Sequence, residues 1–227
     1  NDIKQVYLFW GEERFLMDTY LERIAGKVPD GGLPEFNRLT VTEAKNSIGE
    51  IMDFLETYPM MSEKKLLIMR DTGIFKNASE EVKEFWTKQL ENIPEFAVIV
   101  FAESEIDKRG VIYKAVEKAG FVLEFAYLSP VDTVTWAERQ ILNAKKKIKK
   151  DNAEYLVEIC GEGLGNLNNE VKKLIDFCEE EVTRSDIDRL VSKSLNTKVF
   201  EMTDAIMEHN ADKALGILSD MKTVKES

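Results

Sequence analysis

The sequence predicts an α/β domain with a five-stranded parallel sheet, followed by an all-helical region. In the first half of the chain, short apolar runs alternate with stretches of helical periodicity. Two of the runs, LLIM at Leu66–Met69 and AVIVFA at Ala97–Ala102, are apolar on both faces, which is typical of parallel strands covered by helices on both sides. From Thr133 onward the periodicity is helical, apart from a short irregular stretch around Ile148. We therefore expect a three-layer α/β domain and then helices.

The elements of the first domain follow in strict alternation. The predicted strands are Val6–Trp10, Phe36–Val41, Lys65–Arg70, Ala97–Ala102 and Phe121–Tyr127. The predicted helices between them are Phe15–Val28, Ser47–Thr57, Glu80–Ile93 and Lys108–Ala119. Asn77, three residues before Glu80, is the predicted N-cap of the third helix. Strands joined through helices need crossover connections, so the sheet should be parallel.

The helical region begins after Ser129-Pro130, which interrupts the alternation. Its predicted helices are Thr133–Lys147, Asp151–Cys160, Leu167–Glu179 and Ser185–Ser194, and a further pair is predicted at Val199–Glu208 and Asp212–Met221. Gly161, Gly163 and Gly165 should loosen the connection between the second and third of these helices. The predicted domains are residues 1–128, 129–198 and 199–227.

Composition and charge limit the function classes. The chain has 227 residues, of which 44% are apolar, so it can bury at least one full core as a soluble globular protein. No apolar run approaches the ~20 residues that span a bilayer, and we expect a cytoplasmic protein without membrane contact. The net charge of −11 argues against broad electrostatic attachment to DNA or acidic membranes. Cys160 and Cys178 fall on apolar helix faces and should be buried free thiols.

The first strand, turn and helix have the layout of a phosphate-binding loop but lack its residues. Gly11 is followed by Glu12, Glu13 and Arg14, whereas a Walker A loop needs a second glycine and then Lys and Ser or Thr. Carboxylates at a helix N-terminus would repel the phosphate that the helix dipole attracts. We therefore expect no bound nucleotide and no cofactor.

A second ATPase motif is also absent. Walker B ends an apolar strand with Asp-Glu, whereas the strand at Leu66–Met69 is followed by Arg70-Asp71-Thr72. The polar run Glu103-Ser104-Glu105 after the next strand has no partner that the sequence identifies. We expect no ATP turnover, and the alternative is an ATPase or nucleotide-dependent switch whose phosphate loop has diverged.

Other catalytic chemistry is hard to assemble from these residues. His209 is the only histidine and lies in the polar turn EHNAD between two predicted helices, so it should be a solvated turn residue. The glycines at 161, 163 and 165 follow a helix rather than a strand, which excludes a dinucleotide fingerprint. No catalytic residue and no metal ligand is predicted.

A parallel α/β domain followed by a small helical lid is the AAA+ arrangement. Within that class, the whole chain resembles the delta subunit of the bacterial DNA polymerase III clamp loader. Segments in the order and spacing of that family carry the resemblance. They are VYLFWGEERFLMDTYLERI at the start, YPMMSEKKLLIMRD at Tyr58–Asp71, GEGLGNLNNEVKKL at Gly161–Leu174 and VFEMTDAIMEHNADKALGIL at Val199–Leu218.

The resemblance implies a non-catalytic subunit that binds the beta sliding clamp and opens the ring for loading onto primed DNA during replication. It implies membership of the DNA polymerase III holoenzyme, so that the chain belongs to a nucleotidyltransferase only by association. The implied partners are the clamp, the tau/gamma and delta prime subunits, and primer-template DNA inside the assembly. The other loader subunits bind through a helical collar domain, of which residues 199–227 would be the first helices in a truncated form.

The resemblance places the clamp-binding site at Tyr58, Pro59, Met60 and Met61. The residues support this placement independently, because Pro59 stops the preceding helix and leaves two large flexible apolar side chains in a loop. The polar run Ser62–Lys65 comes next and should face water. The alternative is that both methionines fold back over the end of the sheet, since Met commonly fills gaps.

One basic cluster is a candidate for DNA contact. It comprises Lys145, Lys146, Lys147, Lys149 and Lys150. In the resembling family, lysines here would face the primer-template DNA in the central chamber of the loader. The alternative is a solvated helix end, where the helix dipole favours basic residues.

Overall fold

The structure is a computed structural model that describes residues 3–42, 48–192 and 194–223. It divides into two compact units, one ending at Ala126 and the other beginning at Tyr127. The predicted boundary after residue 128 falls just beyond this division. The separation of residues 129–198 from residues 199–227 stays a prediction.

The first unit contains the predicted five-stranded parallel sheet. Its strands are β1 (Val6–Trp10), β2 (Arg38–Val41), β3 (Lys65–Arg70), β4 (Ala97–Glu103) and β5 (Phe121–Glu124). The order across the sheet is β2-β3-β4-β1-β5, and every neighbouring pair is parallel. The central strand β4 is buried along its whole length, which explains its continuous apolar run.

Helices cover both faces of this sheet. They are α1 (Arg14–Lys27), α2 (Pro34–Asn37), α3 (Ile48–Glu56), α4 (Ile74–Asn77), α5 (Glu80–Glu91) and α6 (Val111–Ala119). Alternate side chains of each strand enter different cores. Phe101 of β4 lies in a core with residues of α3, α5 and α6, whereas its neighbour Val100 lies in the core that contains Met17 of α1. The predicted three-layer arrangement is confirmed.

Several predicted boundaries in the first unit were wrong. Phe36 and Asn37 belong to α2, which has Pro34 at its start, where the ring of proline suits a helix. The N-cap of α5 is Ser79, whose Oγ accepts a hydrogen bond from the N–H of Val82, and Asn77 ends α4 instead. The last strand ends at Glu124 rather than at residue 127.

The helix predicted from Lys108 also begins later than expected. Asp107 organises a turn before it, because its carboxylate accepts a hydrogen bond from the N–H of Arg109 at 2.9 Å and its carbonyl accepts one from Gly110 at 3.0 Å. The helix α6 therefore starts at Val111. Ser47, the predicted first residue of the helix before the methionines, lies outside the described residues.

The second unit is helical, as predicted. Its helices are α7 (Pro130–Asn143), α8 (Lys150–Cys160), α9 (Leu164–Phe177), α10 (Arg184–Leu190), α11 (Leu195–Met207) and α12 (Ala211–Thr223). The irregular stretch around Ile148 forms a two-residue strand, β6 (Lys147–Ile148), which pairs in parallel with β7 (Glu181–Val182). Gly163 precedes α9 with φ 86°, and Gly165 lies inside that helix rather than in the connection. None of the helices in the described part of the chain has the length and apolar character needed to cross a membrane.

Candidate functional site

Four residues, Tyr58 to Met61, form an exposed loop between α3 and β3, which we call the tip. The side chains of Tyr58 and Met61 are 80% and 82% exposed, and that of Met60 is 48% exposed. Pro59 is half-buried. The alternative in which both methionines fold back over the sheet is therefore not the arrangement observed. The tip presents neighbouring large apolar side chains to solvent, and contiguous exposed apolar surface is typical of binding sites.

A buried lysine at the start of β3 bonds to carbonyls at the end of the helix before the tip. Lys65 is only 2% exposed, and its ammonium group donates hydrogen bonds at 2.9 Å to the carbonyls of Phe54 and Thr57. It also lies 4.3 Å from the centre of the Phe54 ring. Burial lowers the pKa of Lys65. The expectation that this residue faces water was wrong, because its charge satisfies carbonyls at the end of α3.

The backbone of the tip is anchored to residues distant in sequence. The ring of Tyr58 lies 5.1 Å from that of Phe96, measured between ring centres. The main chain of Met60 is hydrogen-bonded to the side chain of Asn37. Sequence reasoning missed Asn37, which it assigned to a strand, and periodicity gives no signal for such a contact. The structure thus combines exposed side chains with a fixed main chain.

The loop after β1 uses its own backbone donors internally. The N–H of Gly11 donates to the carbonyl of Glu103 at 3.1 Å, and the N–H of Glu13 donates to the carbonyl of Phe125 at 2.8 Å. Gly11 has φ 131°, and a Cβ there would lie 2.7 Å from the carbonyl carbon of Phe125. A phosphate-binding loop needs such N–H groups to point at the ligand. In this chain they hold the loop against the ends of β4 and β5.

Side chains at the carboxyl ends of the strands are also paired, both with each other and with residues of α1. Arg14 forms an ion pair with Asp71, and Ser104 donates a hydrogen bond to the same carboxylate at 3.0 Å. Burial raises the pKa of Asp71, but the hydrogen bonds from Arg14 and Ser104 and the nearby guanidinium charges outweigh it, so the pKa is lowered overall. Arg70 forms a second ion pair with Asp18.

The polar run Glu103–Glu105, which begins with the last residue of β4, has partners that the sequence did not reveal. Glu103 is buried, and its carboxylate accepts hydrogen bonds from the N–H and hydroxyl of Thr72, at 3.0 and 2.5 Å, and from the N–H of Gly73 at 3.0 Å. Burial raises the pKa of Glu103, although these hydrogen bonds oppose the effect. Glu105 pairs with Lys76. These contacts engage the polar groups at the carboxyl ends of the strands, where α/β proteins commonly bind nucleotides.

The lysine cluster is divided by the fold. Lys146 donates hydrogen bonds to the carbonyls of Ile175 and Cys178 at the end of α9, so its charge is used within the unit. The side chains of the other four are exposed: Lys145, Lys147, Lys149 and Lys150. They lie in a turn, in β6 and at the start of α8, rather than at the end of one helix.

The remaining candidates for chemistry are two buried thiols and one histidine in a turn. Cys160 and Cys178 are buried free thiols, as predicted, and burial raises the pKa of Cys160 to about 12. His209 lies between α11 and α12 with φ 57°, in the predicted turn. Among the described residues, no group of three or more His, Cys, Asp or Glu side chains could hold a metal ion.

A parallel five-stranded sheet between helices, followed by a helical unit, is an AAA+-like fold. In this chain, the loop at the position of a phosphate loop is held by its own backbone contacts. The fold resembles that of the Bacillus subtilis DNA clamp loader delta protein YqeN, with a TM-score of 0.74 at 24% identity, covering 99% of this chain and 69% of that protein. It also resembles the Thermotoga maritima RuvB Holliday junction branch migration motor, with a TM-score of 0.53 at 11% identity, covering 82% of this chain and 60% of the motor. At these identities the likeness concerns the fold alone.

The chain belongs to the DNA polymerase III delta subunit family, because the model of that family, described as "DNA polymerase III, delta subunit", matches residues 7–126. It is 26% identical to DNA polymerase III subunit delta of Bacillus subtilis (strain 168) over 97% of this chain and 66% of the relative. It is 24% identical to the probable DNA polymerase III subunit delta of Aquifex aeolicus (strain VF5), over 96% of this chain and 64% of the relative. The chain therefore spans about two thirds of the length of these curated relatives.

Proposed function

We propose that this chain binds the beta sliding clamp through the tip and favours the open form of the ring, without hydrolysing ATP. The observation that carries the proposal is the tip itself, in which Tyr58, Met60 and Met61 are exposed. Membership of the delta subunit family supports the choice of the clamp as the partner. Isolated apolar residues on a projecting loop are the kind of anchor that dominates protein interfaces.

The energetics of the tip fit such an interface. Full burial of one Met side chain is worth about 1.5 to 3 kcal/mol. Met61 is mostly exposed and Met60 about half-exposed, so together they can supply roughly 2 to 4 kcal/mol before the costs of association are subtracted. Their flexible thioether side chains can also adapt to a hydrophobic pocket on the partner.

The alternative function, an ATPase or nucleotide-dependent switch, is less well supported by the geometry. A nucleotide would need the N–H groups of Gly11 and Glu13, which are bonded to carbonyls of the chain. Its phosphates would also be repelled by the carboxylate of Glu12, close to the start of α1. Under the proposal, the chain contributes to the polymerase holoenzyme without catalysis of its own.

The remaining partners are part of the same proposal. The tau/gamma and delta prime subunits would bind through a full collar domain, of which α11 and α12 would be the first helices. Primer-template DNA would lie within the assembly. The DNA-facing role of Lys145, Lys147, Lys149 and Lys150 stays a prediction, whereas the internal hydrogen bonds of Lys146 favour a structural role for that residue.

Calorimetric titration of the 227-residue chain with the sliding clamp of the same organism, in the absence of nucleotide, tests the proposal. We expect the double variant Met60→Ala/Met61→Ala to bind at least roughly tenfold more weakly, because every 1.4 kcal/mol lost corresponds to about a tenfold loss. Met207→Ala is the matched control, since Met207 is 74% exposed but lies outside the tip. Equal binding by the double variant and the wild-type chain would overturn the proposal.

A further inference from the structure

One buried side-chain amide satisfies both main-chain groups of Met60. Asn37 is 1% exposed, and its Oδ1 accepts a hydrogen bond from the N–H of Met60 at 2.8 Å. Its Nδ2 donates to the carbonyl of Met60 at 2.6 Å and to the carbonyl of Asp30 at 2.8 Å. Asn37 therefore joins the tip to a segment that precedes it by more than twenty residues.

Two further contacts connect the same parts of the chain. Gly31 approaches the main chain of Met61 so closely that a Cβ would lie 2.7 Å from the carbonyl carbon of Met61. The hydroxyl of Ser62 donates to the carbonyl of Pro29 at 2.6 Å. Three consecutive residues, Met60 to Ser62, thus contact the segment Pro29–Asn37, which we call the seat.

The seat is itself bonded to the rest of the unit. The carboxylate of Asp30 accepts a hydrogen bond from the N–H of Gly32 at 3.0 Å and forms an ion pair with Arg38 at 3.1 Å. Arg38 also donates to the carbonyls of Ala25 and Val28, at 3.2 and 3.4 Å, at the end of α1. The seat is therefore connected to both α1 and β2, and it can fix the position of what it contacts.

The tip needs such support because its conformation is not the one its residues prefer. Met61 has φ 52°, in the left-handed region that residues other than glycine adopt at an energetic cost. The exposed side chains of the tip provide little packing to hold that conformation. The contacts with Asn37, Gly31 and Pro29 can hold this conformation instead.

We infer that Asn37 is a positioning residue. Together with the rest of the seat, it holds the Met60–Met61 main chain in the conformation that binds the clamp. This inference rests on the proposed function of the tip, and it identifies the residues that hold the tip in its binding conformation. Ordering the main chain of two residues on binding would weaken affinity by roughly thirty- to a thousandfold, and a preformed tip avoids that loss. Asn37 acts through Met60 and would not itself contact the clamp.

Two variants disturb the seat in different ways, and a third controls for backbone strain. Asn37→Ala removes the hydrogen bonds to Met60. Gly31→Ala drives a Cβ into the main chain of Met61, whereas Gly32→Ala, also at a left-handed glycine, meets nothing within 4 Å. The φ values of the two glycines are 63° and 77°, so the two alanines carry similar strain and differ in their contact with the tip.

Clamp titration of these variants should separate them. We expect Asn37→Ala and Gly31→Ala to bind roughly tenfold or more weakly than the wild-type chain, while Gly32→Ala binds as the wild-type chain does. In a Met61→Ala background, the further loss caused by Asn37→Ala should be smaller, because both changes act on one anchor. A general loss of stability would instead weaken binding to the same extent in both backgrounds.

Amide hydrogen exchange tests the inference without the clamp. In Asn37→Ala, the N–H of Met60 should exchange at least tenfold faster, while amides of β3 and β4 keep their protection. If the wild-type chain binds and Met60→Ala/Met61→Ala does not, the proposed function stands. If Asn37→Ala and Gly31→Ala then bind normally and leave Met60 protected, the inference is overturned while the function remains.

Discussion

At the scale of single residues, Asp71 shows how side chains at the carboxyl ends of the strands are paired within the protein. Its carboxylate is paired with Arg14 and accepts a hydrogen bond from Ser104. Together these contacts hold the pKa of Asp71 below its ordinary value, against the opposing effect of burial. Asp71 is therefore a structural carboxylate in this fold, rather than one free to bind a metal ion.

We predict that Asp71→Asn lowers the free energy of unfolding at pH 7 by about 0.5 to 1 kcal/mol, a modest value because solvent screens exposed ion pairs. The folded-state pKa lies below the unfolded value of roughly 3.9, so the contribution of the carboxylate is present above that value. It is lost as the pH falls through the folded-state pKa. The difference between variant and wild type should therefore shrink in acid.

Urea unfolding at pH 7 and at successively lower pH values measures this difference. Glu63→Gln serves as a control, because Glu63 is an exposed carboxylate outside the network. A difference between Asp71→Asn and the wild-type chain that does not change with pH would contradict the assigned role of the ion pair.

Residue-level features could be predicted from the sequence only where they depend on near neighbours. Pro59 ending a helix before two apolar residues was enough to predict the loop at Met60 and Met61. Asn37 and Glu103 could not be assigned, because their partners, Met60 and Thr72, lie far from them along the chain. Hydrogen bonds of that kind follow from the tertiary fold and have no periodicity of their own.

At the scale of elements, α3 and the tip meet at the ammonium group of Lys65. The ammonium group donates hydrogen bonds to carbonyls that have no N–H partner at the end of the helix. Its stem is buried in the same place, which explains why a lysine begins a strand whose next four residues are apolar. The end of α3, and hence the start of the tip, depends on this residue.

We predict that Lys65→Met lowers the free energy of unfolding by about 1 to 3 kcal/mol, because it leaves two carbonyls near the end of α3 without their donor. Met retains the apolar stem, so the change isolates the charge and its hydrogen bonds. Urea denaturation measures the effect, with the half-buried neighbour Lys64→Met as a control. An unchanged or increased stability would mean that burying the charge costs more than its hydrogen bonds contribute.

Most elements of the first unit were predictable because short continuous apolar runs mark buried parallel strands, whereas the helices show a 3.6-residue period. Strand β3 was predicted with both of its ends, and β4 was one residue longer than predicted. The prediction of β2 was wrong at its start, since the apolar Phe36 was assigned to the strand although Pro34 begins a short helix. Strands of two residues, such as β6 and β7, are too short to show any alternation.

At the scale of the whole molecule, the fold class was predictable and the function rests on one local feature. The alternation of buried strands with helices was sufficient for the parallel sheet, and the membership of the delta subunit family agrees with it. The AAA+-like frame alone does not assign a function, because related folds serve motors such as RuvB. The function proposed for this chain rests on its exposed apolar tip and on the loop after β1, whose N–H groups at Gly11 and Glu13 are bonded within the chain.

A subunit that opens the clamp must bind the open ring more tightly than the closed ring, because a ligand shifts an equilibrium only by its differential affinity. We therefore predict that the chain accelerates release of the sliding clamp from nicked circular DNA at least tenfold. Since Gly11 and Glu13 use their N–H groups internally, added ATP should not change the rate. Met60→Ala/Met61→Ala should abolish the acceleration, and Met207→Ala should retain it. Acceleration that requires ATP would instead favour the nucleotide-dependent alternative, and binding without release would show that the tip recognises the clamp without opening it.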